Sequence, residues 1–233
     1  MGTCSANFPL QQDVLARPWP CDVALREDAL TLLRSLPDGC AAVVFFDPQY
    51  RGVLDKLRFG NEGARQKGRY KLPPMSSNYI DTCGREVARI LRPSGYLALW
   101  SDTFNLCQGH HLRIADAIQV VDLIAWDNLR LGMGKRSRRR GDYVVVLQTP
   151  PISPNTWRDR GIPSRWHEKI DLKVYPRKVY PHTKPIGLIA RLIGAVTKPG
   201  DLVVDPAAAS FVTMHVATEM RRSFVGCDIA YGT

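Results

Sequence analysis

Residues 43–52 read VVFFDPQYRG, an apolar run that stops at Asp47-Pro48-Gln49-Tyr50. With Ala41 and Ala42 ahead of it, the run is a short, continuous apolar segment bounded by turn formers, which predicts a buried strand. Its end presents a carboxylate, a residue whose ring removes the N–H and fixes φ at about −65°, and an aromatic face. That trio suits chemistry on the exocyclic amine of a nucleobase. The lone pair of such an amine is delocalised into the ring, and two acceptors on its two N–H groups favour the tetrahedral nitrogen that attacks a methyl donor. A base inside a duplex has to leave the stack first. The same tetrapeptide also fits an ordinary β-turn, so the rest of the chain has to decide.

Outward from this stretch the pattern alternates between strands and helices. Residues 22–28 (DVALRED) predict a short strand leading to Asp28, and DALTLLRSLPDG a helix with apolar positions at Leu30, Leu33 and Leu36. YIDTCGREVARILRPSG predicts a helix closed by Pro and Gly, then YLALWSD a strand; LRIADAIQVVDLIAWDN runs from helix into strand, and DYVVVLQ is a further strand with an antiparallel neighbour. After a proline- and tryptophan-rich stretch from Pro150 to Pro185 come the helix KPIGLIARLIGAVTKPGD, the strand LVVDP, the helix ASFVTMHVATEM and the strand RSFVGCDI. Alternation of this kind predicts a mostly parallel sheet with helices on both faces. Four predicted strands end at an acid: Asp28, Asp47, Asp205 and Asp228. Ligands of open α/β sheets bind beyond the carboxyl ends of the strands. Asp228 follows Asp205 by 23 residues, the spacing of a ribose-binding acid, but the turn DPAAASFVT is not a glycine-rich phosphate cradle. That combination suits an adenosine ligand without pyrophosphate, such as S-adenosylmethionine.

Composition narrows the partners. The 233 residues are 45% hydrophobic and carry a formal charge of +10. Basic clusters at 51–71, 134–141 and 157–178 point to a polyanion, and nucleic acid is the expected one. The six cysteines form no CxxC pair, which predicts reduced thiols, no disulfide framework and no metal site. Neither a signal peptide nor a membrane span is read in the chain, so the expected place is the cytoplasm.

Taken together, these motifs resemble the β-class DNA amino-methyltransferases over residues 22–229. The catalytic motif comes first (REDALTLLRSLPDGCAAVVFFDPQY), then REVARILRPSGYLALWSD and RRRGDYVVVLQ, and the cofactor motifs last (HTKPIGLIARLIGAVTKPGDLVVDPAAAS and FVGCDI). The resemblance implies one domain over residues 1–233: an α/β, three-layer Rossmann-like methyltransferase sheet, mostly parallel with an antiparallel edge strand, circularly permuted. Residues 20–150 would form the catalytic half, 150–181 a short DNA-recognition segment and 182–233 the cofactor half. It implies that Asp47 and Pro48 accept from the target amine and that Tyr50 stacks on the base. S-adenosylmethionine would be held by Asp28, Asp47, His182, Thr183, Lys184, Asp205, Pro206, Ala207, Ser210 and Asp228, with Lys184 as the charge partner of the methionine carboxylate. DNA would meet Arg51, Lys56, Arg58, Asn61, Lys135, Arg136, Arg138, Arg139, Arg158 and Arg160. Asp at the head of the motif leans to adenine-N6, in a restriction–modification setting, with a very short recognition site or almost none. Cytosine-N4 or RNA methylation, and a catalytically dead DNA-binding remnant, are the alternatives; a homodimer is left open. The chain departs from the family pattern twice. Gln49 replaces a second proline, and Ala209 and Phe211 stand where the family carries glycines, so a Cβ or a ring is expected to crowd the ligand or to demand another backbone conformation.

Overall fold

The AAVVFF run is strand β2 (Ala41–Phe46), with every residue buried. Its side chains alternate between two layers, as a strand requires. Val43 and Phe45 join one core cluster, and Val44 and Phe46 the other. A strand covered on both faces reads as unbroken apolar sequence rather than as alternation. The computed structural model describes residues 21–49, 75–114, 117–132, 137–175 and 183–233. No described helix is long and apolar enough to cross a membrane.

Eight described strands form one sheet: β1 (Ala24–Leu25), β2, β3 (Leu91–Ser101), β4 (Gln119–Asp127), β5 (Gly141–Gln148), β6 (Arg165–His167), β7 (Leu202–Asp205) and β8 (Ser223–Cys227), in the order β1-β8-β7-β2-β3-β5-β4-β6. All adjacent pairs are parallel except those of β5, which is antiparallel to both β3 and β4. The expected reversed strand is therefore β5, and β4 and β6 continue the sheet beyond it. On one face lie α1 (Ala29–Ser35) and α2 (Ser77–Ile90), packed through Leu33, Val87 and Ile90. The opposite face is covered by α5 (Ile186–Val196) and α6 (Val212–Glu219), through Leu188, Leu192 and Val216. Two short helices, α3 (Thr103–Cys107) and α4 (His110–Ile114), follow β3.

The first and last strands are neighbours. β1 pairs in parallel with β8, Ala24 opposite Gly226, and the Thr233 N–H donates to the Ala24 carbonyl at 2.9 Å. The permuted order thus closes on itself in space.

Some expected boundaries shift. Only Ala24 and Leu25 of the first predicted strand are extended in the sheet, and Asp28 instead caps α1, accepting from the Leu30 and Thr31 N–H groups. Helix α2 ends at Ile90 rather than running to Gly95, and Leu91 is already extended (φ −69, ψ 131). Pro93 disfavours helical backbone at Arg92, the residue before it, and Leu91 already pairs with Ala41 in the sheet. Helix α6 begins only at Val212, because Ala209 and Phe211 are left-handed.

The 150–175 stretch is bound to the body of the domain. Trp157 packs edge-on against Tyr96, with ring centroids 5.8 Å apart, and Asp159 pairs with Arg191 of α5. Helix α5 starts at a proline that offers no side-chain cap. Glu168 supplies one from outside: its carboxylate accepts from the Gly187 N–H at 2.9 Å and the Leu188 N–H at 3.1 Å. An anion at a helix N-terminus also complements the dipole. Glu168→Ala is expected to cost about 1–2 kcal/mol, read as a lower urea midpoint at unchanged slope.

Candidate active site

Parallel strands β2, β7 and β8 place their carboxyl ends along one edge of the sheet, and that edge also carries the amino end of the reversed strand β5. Asp47, Asp205, Asp228 and Asp142 are thereby gathered from four separate stretches of chain.

Asp47 is half-buried and Pro48 buried. The Gln49 carbonyl accepts from the Met75 N–H at 2.8 Å, which ties residue 75 to the end of the strand-end motif. That bond uses only the main chain of Gln49, which explains why its side chain need not be proline. Tyr50, Arg51, Lys56, Arg58, Asn61, Lys135, Arg136 and His182 lie outside the described residues.

Lys184 extends its ammonium to Asp47, 2.9 Å from Oδ2, and to Asp142, 3.3 Å from Oδ2. It lies 4.9 Å from the centroid of the Trp100 ring. Burial disfavours the Lys184 charge, but Asp47 and Asp142 outweigh it and raise its pKa. Burial pushes Asp142 upward, yet Lys184 and Arg139 leave its carboxyl below the usual range.

Asp205 ends β7 and is buried. It accepts from the Thr213 hydroxyl at 2.7 Å and the Ala207 N–H at 3.2 Å. Burial, with smaller contributions from Asp47 and Asp228, overrides these bonds and raises its pKa to about 7. Asp228, also buried, accepts from the Ala230 and Tyr231 N–H groups. Thr183 and Ser210 are buried, and Pro206 and Ala207 continue the chain from Asp205. Asp28 is already engaged by its own helix and by the Tyr79 hydroxyl, 2.6 Å from Oδ2.

The loop after β7 keeps the backbone expected of glycines. Ala209 has φ 44 and Phe211 φ 51. The Phe211 ring is turned into the core beneath α5 and α6, so it does not project over the loop. The expected change of backbone conformation is absent, at the cost of two L-residues in left-handed geometry. Gly226 is required alongside: a Cβ there would sit 2.5 Å from the Asp205 carbonyl oxygen.

Most described arginines singled out as DNA contacts have partners within the chain. Arg139 pairs with Asp142 at 2.6 Å, and Arg138 donates to the Gly132 carbonyl at 2.8 Å. Arg158 donates to the Thr197 carbonyl, beyond the far end of α5 and so away from the site. Arg160 and Arg165 are exposed. A cleft of about 180 Å³ opens beside Asp142, lined among others by Trp126, Asp127, Arg140, Tyr143 and Arg165. Sequence reasoning missed Asp142, Trp100 and Thr213. Only the position of Asp142 at the start of a strand could have marked it.

A family model described as DNA methylase matches residues 42–232. The type II methyltransferase M.HhaII of Haemophilus parahaemolyticus is 41% identical over 209 residues, covering 88% of this chain and 90% of that protein. Among solved structures, the cytosine-N4-specific PvuII DNA methyltransferase superposes with a TM-score of 0.63 at 18% identity, over 87% of this chain and 80% of the other. M1.HpyAVI bound to SAM superposes at 0.59 and 16% identity, over 88% of this chain and 92% of the other.

Two outcomes are expected from this edge. The raised Asp205 pKa stabilises the fold fully only below the unfolded value of 3.8, and that stability is lost as pH rises through about 7. Asp205→Asn should therefore melt higher than the unmutated chain, by a margin that widens from about pH 4 to 7 and is flat above. Ala209→Gly should stabilise by about 0.5–1 kcal/mol through relief of left-handed strain, seen by thermal denaturation.

Proposed function

This chain belongs to the N6/N4 DNA methylase family, and we propose that it methylates the N6 amine of adenine in DNA. The observation that carries this reading is the Asp47-Pro48 strand end, with Asp205 and Asp228 on the same sheet edge. The Asp47 carboxylate and the Pro48 carbonyl accept from the two N–H groups of a flipped-out adenine. This draws the amine nitrogen toward a tetrahedral geometry and localises its lone pair. Forming the nitrogen–carbon bond would break the donor's methyl–sulfur bond, the electron pair going to sulfur to leave a neutral thioether, and the nitrogen would release one proton to solvent. Tyr50 stacks on the ring.

S-adenosylmethionine supplies the electrophilic methyl carbon. The donor set fits it. Asp47 and Asp228 both act on Asp205 at this edge, and burial above all raises the Asp205 carboxyl to about 7. A ligand bearing an ammonium and a sulfonium supplies the positive charge that makes such a cluster favourable. Asp205 with Pro206, Ala207 and Ser210 would hold the methionine side, Asp228 the ribose, and Thr183 and His182 the carboxylate end. Asp28 caps α1 and accepts from the Tyr79 hydroxyl, and Oδ2 keeps one acceptor site for the adenine end of the cofactor. Exposed Arg160 and Arg165 are the described candidates for phosphate contact.

Cytosine-N4 methylation is the second reading. Its target is also an amine conjugated with a ring, and the fold is shared with a cytosine-N4 enzyme. Labelled S-adenosylmethionine, unmethylated DNA and mass analysis of the nucleosides separate the two. N6-methyladenine that disappears in Asp47→Ala is the expected result; N4-methylcytosine would transfer the assignment to the second reading.

A further inference from the structure

We propose that Asp142 and Lys184 are positioning residues for Asp47, forming a charged brace that fixes this carboxylate for the target amine. The inference rests on Asp47 being the amine's acceptor. Its geometry is a chain of charges of alternating sign. Arg139 holds Asp142 at 2.6 Å, Asp142 holds Lys184 at 3.3 Å, and Lys184 holds Asp47 at 2.9 Å. Two cations and two anions balance. Arg139 is itself 3.8 Å from Asp102, which caps α3, so the brace extends to an element beyond the site.

Placement matters here because Lys184 has little room. Its side chain is 13% exposed, and the Trp100 face lies against the ammonium, an arrangement that favours the cation when water is excluded. A lysine on a flexible four-carbon stem has no directional preference of its own. Two carboxylates on opposite strands give it one. The strand-end acid Asp47 is thus one of the two carboxylates that orient Lys184. The charged groups acting on it are Asp47 beyond β2 and Asp142 on β5, with Arg139 behind Asp142.

The test compares the unmutated chain with Asp142→Asn, Asp142→Glu and Lys184→Met. It measures single-turnover methyl transfer at saturating DNA and S-adenosylmethionine, cofactor affinity by calorimetry, and titration of the Lys184 ammonium by ¹⁵N NMR. A brace predicts that Asp142→Asn loses about 10- to 100-fold in single-turnover rate, the scale of a misplaced reacting group, with cofactor affinity unchanged and part of the rate recovered in Asp142→Glu. With one of its two anions gone, Lys184 should titrate at lower pH, and the alkaline limb of the rate should follow it down. An unchanged rate in Asp142→Asn, or a loss that resides in cofactor affinity, overturns the brace. If the unmutated chain transfers no methyl group, the proposed function fails. The NMR titration then still decides the brace, because a Lys184 that titrates alike with and without Asp142 is not held by it.

Discussion

A single ammonium, that of Lys184, joins three segments far apart in sequence: the end of β2, the start of β5 and the approach to α5. Its carboxylate partners lie at 2.9 and 3.3 Å. Buried ion pairs are poor sources of stability, since desolvation offsets most of the attraction. Hydrophobic residues of similar volume would hold these segments together at least as well. What charge adds is direction. An apolar contact tolerates sliding, whereas a lysine between two carboxylates fixes where each oxygen lies. The arrangement therefore belongs to the site rather than to the core, which the two clusters on either side of the sheet already provide.

The same edge concentrates negative charge that the fold does not neutralise equally. Asp142 and Asp47 have cations beside them. Asp205 has a hydroxyl and an N–H, which soften its burial without reversing it, and its pKa stays high. The edge thus has a neutral half toward β5 and a half toward β7 and β8 that is improved by a cationic ligand. This asymmetry follows from which strands bring basic residues with them: the RRRGD stretch enters β5 with arginines attached, and the LVVDP stretch enters its loop with alanines.

Much of this was legible in the sequence, and the reasons are physical. AAVVFF reads as a strand because both of its faces are covered. The acids at 47, 205 and 228 read as a site because parallel strands must share an edge. Other features were not legible. Asp28 reads as a strand-end acid, but an acid directly before an apolar helix is equally an N-cap, and here the helix takes it. The basic cluster at 134–141 reads as a polyanion contact because charge counts do not reveal the acids that the fold brings to it; Arg139 meets Asp142 and Arg140 meets Asp127. Ala209 and Phe211 read as a break in the loop, whereas the surrounding bonds hold them left-handed. The Ala208 N–H is tied to the Cys227 carbonyl at 2.9 Å and the Phe211 N–H to the Ala208 carbonyl at 2.8 Å.

The segment at 150–175 changes meaning most. Its arginines and tryptophans suggest a reader of DNA, yet Arg158 and Trp166, with the acids Asp159 and Glu168, also serve α5. Near the helix's last turn, the Arg158 N–H donates to the Ala195 carbonyl at 2.9 Å. Along its length Asp159 pairs with Arg191, and at its first turn Glu168 caps Gly187 and Leu188. Trp166 donates to the same Glu168 carboxylate at 2.6 Å while its strand, β6, extends the sheet beside β4. Both ends of α5 are thereby fixed relative to the sheet. Lys184 lies two residues before that helix, so the position of its ammonium is set by the wrap as much as by the carboxylates it meets. In its described part the stretch thus frames α5, the helix that follows the site's lysine, while Arg160 and Arg165 stay exposed.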